Sequence, residues 1–297
     1  MFLKKSKMSK VYIGIDIGGT KLIVASARED GTILKRERAS TPLDFTEGLG
    51  LLDRMIATVA EDSPIAGIGA GAGGPLDWET GIVSPLHQPE WRDVPLKKIM
   101  ENKWGCPFHV DVDTNLAALA EYDDLEEKVS RLLYVTLSTG MGGGLILDGH
   151  IYRGMNGAHP EIGHQTVSYR SPGMKPVICP CGAEGCLEAL ISGNGIRRLY
   201  GKLPEELGAE EWGEVAWNLG QGLRNLAAIC LPDVIVLGGG ISFGAQDKWL
   251  EAAVRVMREN VKIVPTPKVR ISQLGPENVL KGTILLIKNA ASPSAGF

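Results

Sequence analysis

His159 to Glu188 reads HPEIGHQTVSYRSPGMKPVICPCGAEGCLE, and the rest of the chain is organised around this stretch. Cys179, Cys181 and Cys186 follow the spacing C-x-C-x4-C, and His164 precedes them. Three thiolates and one imidazole complete a tetrahedral Cys3His shell, the closed coordination of a structural zinc ion. Pro180, Gly182 and Gly185 supply the sharp turns that aim three sulfurs at one point. A loop with free or disulfide-bonded cysteines is the competing explanation. Only Cys106 and Cys230 remain besides, both among apolar residues, and nothing suggests secretion. In a reducing compartment, metal explains such a cluster better than disulfides do. Acidic residues flank the group, Glu161 before it and Glu188 after it.

Composition bounds the rest. A chain of 297 residues exceeds one ordinary domain and suggests two lobes. The formal net charge of −4 leaves no general basic field for nucleic acid. The basic opening MFLKKSKMSK lacks the apolar segment of a secretion signal, and Met8 is a candidate start. No apolar run approaches the roughly 20 residues needed to span a bilayer. A soluble, cytoplasmic protein is expected, with SPSAGF as a frayed tail. The 38 glycines cluster in short runs after apolar stretches, where backbone can approach a ligand closely.

In the first half, apolar β-rich runs at Val11 to Ile15, Leu22 to Ala27 and Thr32 to Lys35 predict hairpin strands. The first turn reads Asp16-Ile17-Gly18-Gly19-Thr20-Lys21. Bare N–H groups at Gly18 and Gly19 and the Thr20 hydroxyl suit phosphate oxygens, and Asp16 suits a hydrated Mg²⁺. Lys21 reads equally as a phosphate contact or a solvated lysine. Leu49 to Val59 has helical spacing, and Ile65 to Ala70 reads as a buried strand. Gly69, Gly71 and Gly74 fit G-x-G-x-x-G, but Pro75 to Trp78 and Thr80-Gly81 predict a turn where a dinucleotide fold needs a helix. A glycine-lined wall against a small ligand, Gly73 included, is the expectation. After a short helix to Trp104, a strand at Phe108 to Val112 delivers Asp113 into a helix over Thr114 to Leu125. That carboxylate reads either as a helix N-cap or as a general base at a cleft mouth.

The second half repeats the logic. A strand over Arg131 to Leu137 runs into Ser138-Thr139-Gly140-Met141-Gly142-Gly143-Gly144, read as a phosphate turn interrupting strands and preferred over a simple bulge. Two such turns suggest a duplicated unit. Gly193 to Tyr200, Glu210 to Cys230, Trp249 to Glu259 and Val279 to Asn289 have helical patterns, and Val269 to Ile271 reads as a strand. Asp233 to Leu237 reads as a buried strand ending in Gly238-Gly239-Gly240, a turn suited to flat adenosine. There is no G-x4-G-K-[ST], so any nucleotide site is not a P-loop.

In order, DIGGTK, GAGGPLD, DTNLAALAE, TGMGGG, HPEIGH, CPCGAEGCLE and VIVLGGGIS resemble the ROK family of sugar kinases and sugar-responsive repressors. The resemblance implies a two-lobed α/β actin-like ATPase (ribonuclease H-like) fold with a nucleotide cleft between the lobes. It places one lobe at 10–115, with a returning helix at about 279–290, and the other at 116–278. It also implies hexose phosphorylation by Mg-ATP, with glucose favoured and fructose, mannose or an N-acetylhexosamine as alternatives, and a homodimer. Asp113 would be the base, and Asp16 would help place Mg²⁺. Gly18, Gly19, Thr20, Thr139 and Gly140 would cradle phosphates, with Gly238 and Gly239 against adenosine. Glu161, His164 and Glu188 would bind sugar hydroxyls, His164 holding zinc through its other nitrogen and so having its tautomer fixed. Val112 stands where glucokinase-like members commonly carry Asn, and His159 where the family usually has a small residue; HPE-x-GH resembles the fructokinase branch. A sugar-sensing repressor would carry a helix-turn-helix ahead of the first strand, for which about ten residues are too few.

Overall fold

Residues 9–86 and 88–291 are described in the computed structural model. The candidate start at Met8 and the expected tail SPSAGF lie outside them. Residues up to Ala120, with Met155–Ala158 and the segment from Glu277, form one compact unit. Glu121–Gly154 and His159–Pro276 form the other.

The first unit opens on a meander. β1 (Val11–Ile17) pairs antiparallel with β2 (Lys21–Ala27), and β2 with β3 (Ile33–Ser40). Ile13, Ile15, Leu22 and Val24 are buried, whereas β3 alternates half-buried and exposed, as an edge strand does. α1 (Phe45–Ala60) begins where the Asp44 carboxylate accepts the Glu47 N–H at 2.7 Å, and it buries Leu52, Ile56 and Val59. β4 (Ile65–Ala72) lies parallel to β1. The short strands β5 (Leu76–Asp77), β6 (Ile82–Val83) and β7 (Val94–Pro95) form a small separate sheet. After α2 (Leu96–Trp104), β8 (Phe108–Val112) adds parallel to β4, giving the order β3-β2-β1-β4-β8. α3 (Asp113–Asp123) leaves β8 directly.

The second unit repeats that topology. β9 (Arg131–Leu137), β10 (Met141–Leu147) and β11 (His150–Ile151) form an antiparallel meander. The cysteine loop, α4 (Leu187–Ile191), α5 (Gly193–Tyr200) and α6 (Ala209–Cys230) follow. β12 (Val234–Gly238) pairs parallel with β9, and after α7 (Gly240–Asn260), β13 (Lys268–Ile271) pairs parallel with β12. The order β11-β10-β9-β12-β13 matches the first sheet position for position. Leu133, Val135, Leu187, Trp212, Leu223, Ile235 and Trp249 lie in its core.

Two glycine runs do something other than the sequence suggests. α8 (Asn278–Ala291) packs on β1 and β4. A Cβ at Gly69 would strike the Thr283 carbonyl, one at Gly71 would sit 2.7 Å from Val279 Cγ1, and one at Gly67 2.8 Å from Ile287 Cγ2. Alternate β4 residues share a face, so this stripe is a seat for α8 and not a wall against a ligand. Pro75 and Leu76 continue as turn and strand, with no helix at the G-x-G-x-x-G run. In the second unit, Gly142, Gly143 and Gly144 are paired residues of β10 and not part of a turn. A Cβ at Gly143 would run into Ile162, so the glycines let the 3₁₀ turn Ile162–His164 rest on the strand.

Candidate active site

In the first unit, strand register gathers the acidic residues at one end of the sheet. Asp16 on β1 pairs across to Gly71 on β4, and Gly71 to Asp111 on β8. Asp113 follows two residues later, its Cα 3.6 Å from where a Gly71 Cβ would stand. This is the carboxyl end of three parallel strands, where α/β sheets place their ligands. Burial, aided by the Asp113 charge, pushes the Asp16 carboxyl up to about 7. Asp113 Oδ1 accepts the Thr114 N–H at 2.7 Å at the positive end of α3. Asp111, which the sequence did not single out, accepts the Asn115 side-chain amide at 2.9 Å and the Val112 N–H at 2.7 Å. That buried clamp fixes the β8–α3 junction from which Asp113 projects, and Val112 itself is buried in the strand.

The Asp16–Lys21 turn departs from expectation at one group. The Gly18 N–H donates to the Lys21 carbonyl at 2.9 Å and closes the hairpin, so it is not bare. Thr41 braces the same turn, its hydroxyl donating to the Gly18 carbonyl at 2.7 Å. Gly19, Thr20 and Lys21 are exposed at the tip. Gly73, just beyond β4, is half-buried, and among the described residues only Pro85 Cβ, at 3.9 Å, lies near the position of its missing Cβ.

In the second unit, the Ser138–Gly140 turn is held from two sides. The first N–H groups of α5 donate to it, Gly193 to the Ser138 carbonyl at 2.8 Å and Asn194 to the Thr139 carbonyl at 3.0 Å. Ser192 caps that helix, accepting from the Gly195 N–H. Glu188 Oε2 accepts the Met141 N–H at 2.9 Å. Beside the turn lies a cavity of about 440 Å³ lined by Thr139, Asn194, Arg197, Glu205, Gly240 and Ile241, among others. The positive N-terminus of α7 therefore borders it. Gly238 and Gly239 lie behind this wall. A Cβ on Gly238 would strike Tyr134, while Gly239 adopts φ +89° ahead of α7. Asn194 and Arg197 were missed from sequence; the Ser192 cap followed by a short basic helix was the available signal.

His164, Cys179, Cys181 and Cys186 come together, their donor atoms all within 4.8 Å of one another. Cys181 and Cys186 Sγ are 3.6 Å apart, and Cys179 Sγ is 3.8 Å from His164 Nδ1. Bonds of about 2.3 Å to sulfur and about 2.0 Å to nitrogen in a tetrahedron put sulfurs roughly 3.8 Å apart and nitrogen roughly 3.5 Å from sulfur, within a few tenths of the two separations here, so the donor set fits zinc. Gly182 and Gly185 take positive φ, 95° and 74°, and the Gly182 N–H folds back to the Cys179 carbonyl. The Ala183 N–H holds the exposed Cys181 thiol down to about 7, and burial pushes Cys186 up to about 12. The other His164 nitrogen, Nε2, faces Glu161 at 4.0 Å.

A family model described as ROK family matches residues 12–290. A glucokinase of Halalkalibacterium halodurans is 30% identical, over 93% of this chain and 94% of its own length. A putative fructokinase of Bacillus subtilis is 32% identical, over 77% of this chain and 76% of its own. Among solved structures, a ROK hexokinase from Thermus thermophilus is 31% identical with a TM-score of 0.80, covering 93% of this chain and 97% of that one. The fold is accordingly the two-lobed actin-like ATPase fold, and the repeated five-stranded sheets are the cores of its α/β lobes.

Proposed function

The chain belongs to the ROK family, and on that footing we propose that it is a sugar kinase moving the γ-phosphoryl group of ATP to a hexose hydroxyl, glucose to glucose 6-phosphate being favoured. Fructose, mannose and N-acetylhexosamines are the alternative acceptors. One observation carries the proposal: two carboxylates, Asp16 and Asp113, meet at the carboxyl end of the parallel strands, Asp16 paired across to Gly71 and the Asp113 Cα 3.6 Å from where a Gly71 Cβ would stand.

Asp113 acts as general base. Its carboxylate takes the acceptor hydroxyl proton as that oxygen bonds to the γ-phosphorus, while the bond from phosphorus to the bridging oxygen breaks and ADP leaves. Asp16 would hold a Mg²⁺ ion, whose charge would offset that of the nucleotide phosphates. Gly19 and Thr20, in a turn shaped by Gly18, and Thr139 and Gly140 hold phosphate oxygens, with Lys21 a further phosphate contact. The cavity beside Asn194 and Gly240 receives adenosine, with Gly238 and Gly239 forming the strand end behind it. Glu161, His164, Glu188 and Gly73 bind the sugar. His164, Cys179, Cys181 and Cys186 would hold a structural zinc ion, whose bond to the ring would fix the orientation of His164. Positioning and charge neutralisation supply most of the acceleration. The same proposal makes the protein a cytoplasmic homodimer, which light scattering at twice the chain mass checks.

The test is ADP release with Mg-ATP over glucose, fructose, mannose and N-acetylhexosamines, with phosphosugar identified by mass spectrometry. Turnover on at least one hexose, with glucose best, is expected. Absence of sugar-dependent ADP release across the set sinks the proposal.

A further inference from the structure

We propose that His159 is a positioning residue for sugar recognition, pinning the Glu161 carboxylate so that one of its oxygens stays turned toward the His164 ring. This rests on Glu161 and His164 being sugar ligands, as proposed above. His159 Nε2 lies 3.3 Å from Glu161 Oε1, while His164 Nε2 lies 4.0 Å from Glu161 Oε2. The carboxylate therefore stands between two imidazoles, one at each oxygen. The two rings differ in their surroundings: the His159 side chain is 14% exposed, that of His164 36% and that of Glu161 57%.

The backbone explains how His159 reaches Glu161. Pro160 follows His159 and disfavours helical backbone there, and Glu161, at φ −85° and ψ 61°, leads directly into the 3₁₀ turn that carries His164. A largely exposed glutamate free to sample its rotamers loses a factor of roughly ten or more in affinity when a ligand must order it. A largely buried ring whose Nε2 sits 3.3 Å from Oε1 meets that ordering in advance.

The second gap has a different use. At 4.0 Å, His164 Nε2 and Glu161 Oε2 are too far apart for a direct hydrogen bond. His164 Nδ1 faces Cys179 at 3.8 Å, on the metal-ligand side, and with Nδ1 given to a metal ion Nε2 would carry the ring proton. A sugar hydroxyl between them accepts from that N–H and donates to the carboxylate. Only a group that both donates and accepts satisfies the pair, provided His159 holds Glu161 still.

Titration calorimetry with glucose and with fructose tests this on the full chain, comparing wild type, His159→Ala, His159→Gln, Glu161→Gln and the His159→Ala/Glu161→Gln double variant. The Gln amide places a donor near the position of Nε2. His159→Ala is expected to weaken the better-bound sugar roughly tenfold, His159→Gln to recover most of that loss, and the double variant to bind no more weakly than Glu161→Gln alone. In turnover, sugar KM rises while kcat and the KM for ATP hold, with zinc content and Tm unchanged. His159→Ala affinity within twofold of wild type, or losses from the two single variants that simply multiply, overturns the proposal; so does a wild type that binds neither sugar. A wild type that binds as expected but never releases ADP sinks the kinase function and leaves this proposal standing.

Discussion

The Glu188 carboxylate accepts the backbone N–H of Met141 at 2.9 Å, so the acidic residue two places after Cys186 braces the strand leaving the Thr139–Gly140 turn. The cysteine cluster and the Ser138–Gly140 turn are thus mechanically joined within one unit. A Cβ added at Gly140 would lie 3.0 Å from Glu188 Oε2 and press on the same brace.

Glu188→Ala removes both an implied sugar ligand and that brace, so it should raise the KM for ATP as well as for sugar. A hydrogen bond to a charged acceptor is worth about 1.5–3 kcal/mol, or on the order of tenfold to a hundredfold in kcat/KM. Glu188→Gln keeps an acceptor oxygen for Met141 and should spare the KM for ATP. Steady-state kinetics on both substrates separate the roles; equal KM values for ATP in the two variants would refute the brace.

Asp16 predicts a pH dependence. Its carboxyl is held up to about 7 from an ordinary 3.8, chiefly by burial and then by the Asp113 charge. The folded chain therefore keeps a proton that the unfolded chain has lost. The associated stability is complete below about pH 4 and disappears as pH rises through about 7. Relative to Asp16→Asn, the unliganded wild type should lose on the order of 2 kcal/mol between pH 5 and 8, after allowing for solvent at a half-buried group. Urea midpoints across that range check it. Mg²⁺ needs the ionised form, so half-maximal activation should take more Mg²⁺ at pH 6 than at pH 8.

The β4 glycines predict a contrast. Gly69→Ala drives a methyl into the Thr283 carbonyl of α8, while Gly73→Ala meets nothing closer, among the described residues, than Pro85 Cβ at 3.9 Å. Overpacking of this kind costs about 1–3 kcal/mol, so the urea midpoint should fall for Gly69→Ala and stay near wild type for Gly73→Ala. Comparable losses in both would mean α8 is not what the stripe accommodates.

These contrasts also mark how far the sequence could be read. The hairpins and the His–Cys cluster were legible because β-branched runs, Asp-Gly turns and C-x-C-x4-C spacing are local signals. The glycines were not, because a glycine that bares its backbone to a ligand and one that admits a helix look alike until the packed partner is known. Gly67, Gly69 and Gly71 admit α8, from more than 200 residues onward, and Gly143 admits Ile162. The helical pattern at Trp249 to Glu259 does not reach back through GISFGAQDK, the first part of α7, where Ala245 breaks the helical dihedrals at φ −145°. Asp111 carried no signal because a buried polar clamp within one helical turn looks like any strand-end aspartate.

Metal removal tests the cluster. One zinc per chain is expected by atomic absorption. Cys186→Ser or strong chelation should remove it, lower Tm by several degrees and raise sugar KM far more than the KM for ATP. Full zinc content and unchanged sugar KM in Cys186→Ser would contradict a metal that orients His164.

Asp113→Asn decides the central claim. The amide keeps the size of the side chain and an oxygen for the Thr114 N–H, but cannot take a proton from the acceptor hydroxyl. Single-turnover phosphoryl transfer to glucose from Mg-ATP should fall by about 10²–10⁴-fold, with glucose and ATP still binding and Tm within a few degrees of wild type. Transfer at near wild-type rate would contradict the account.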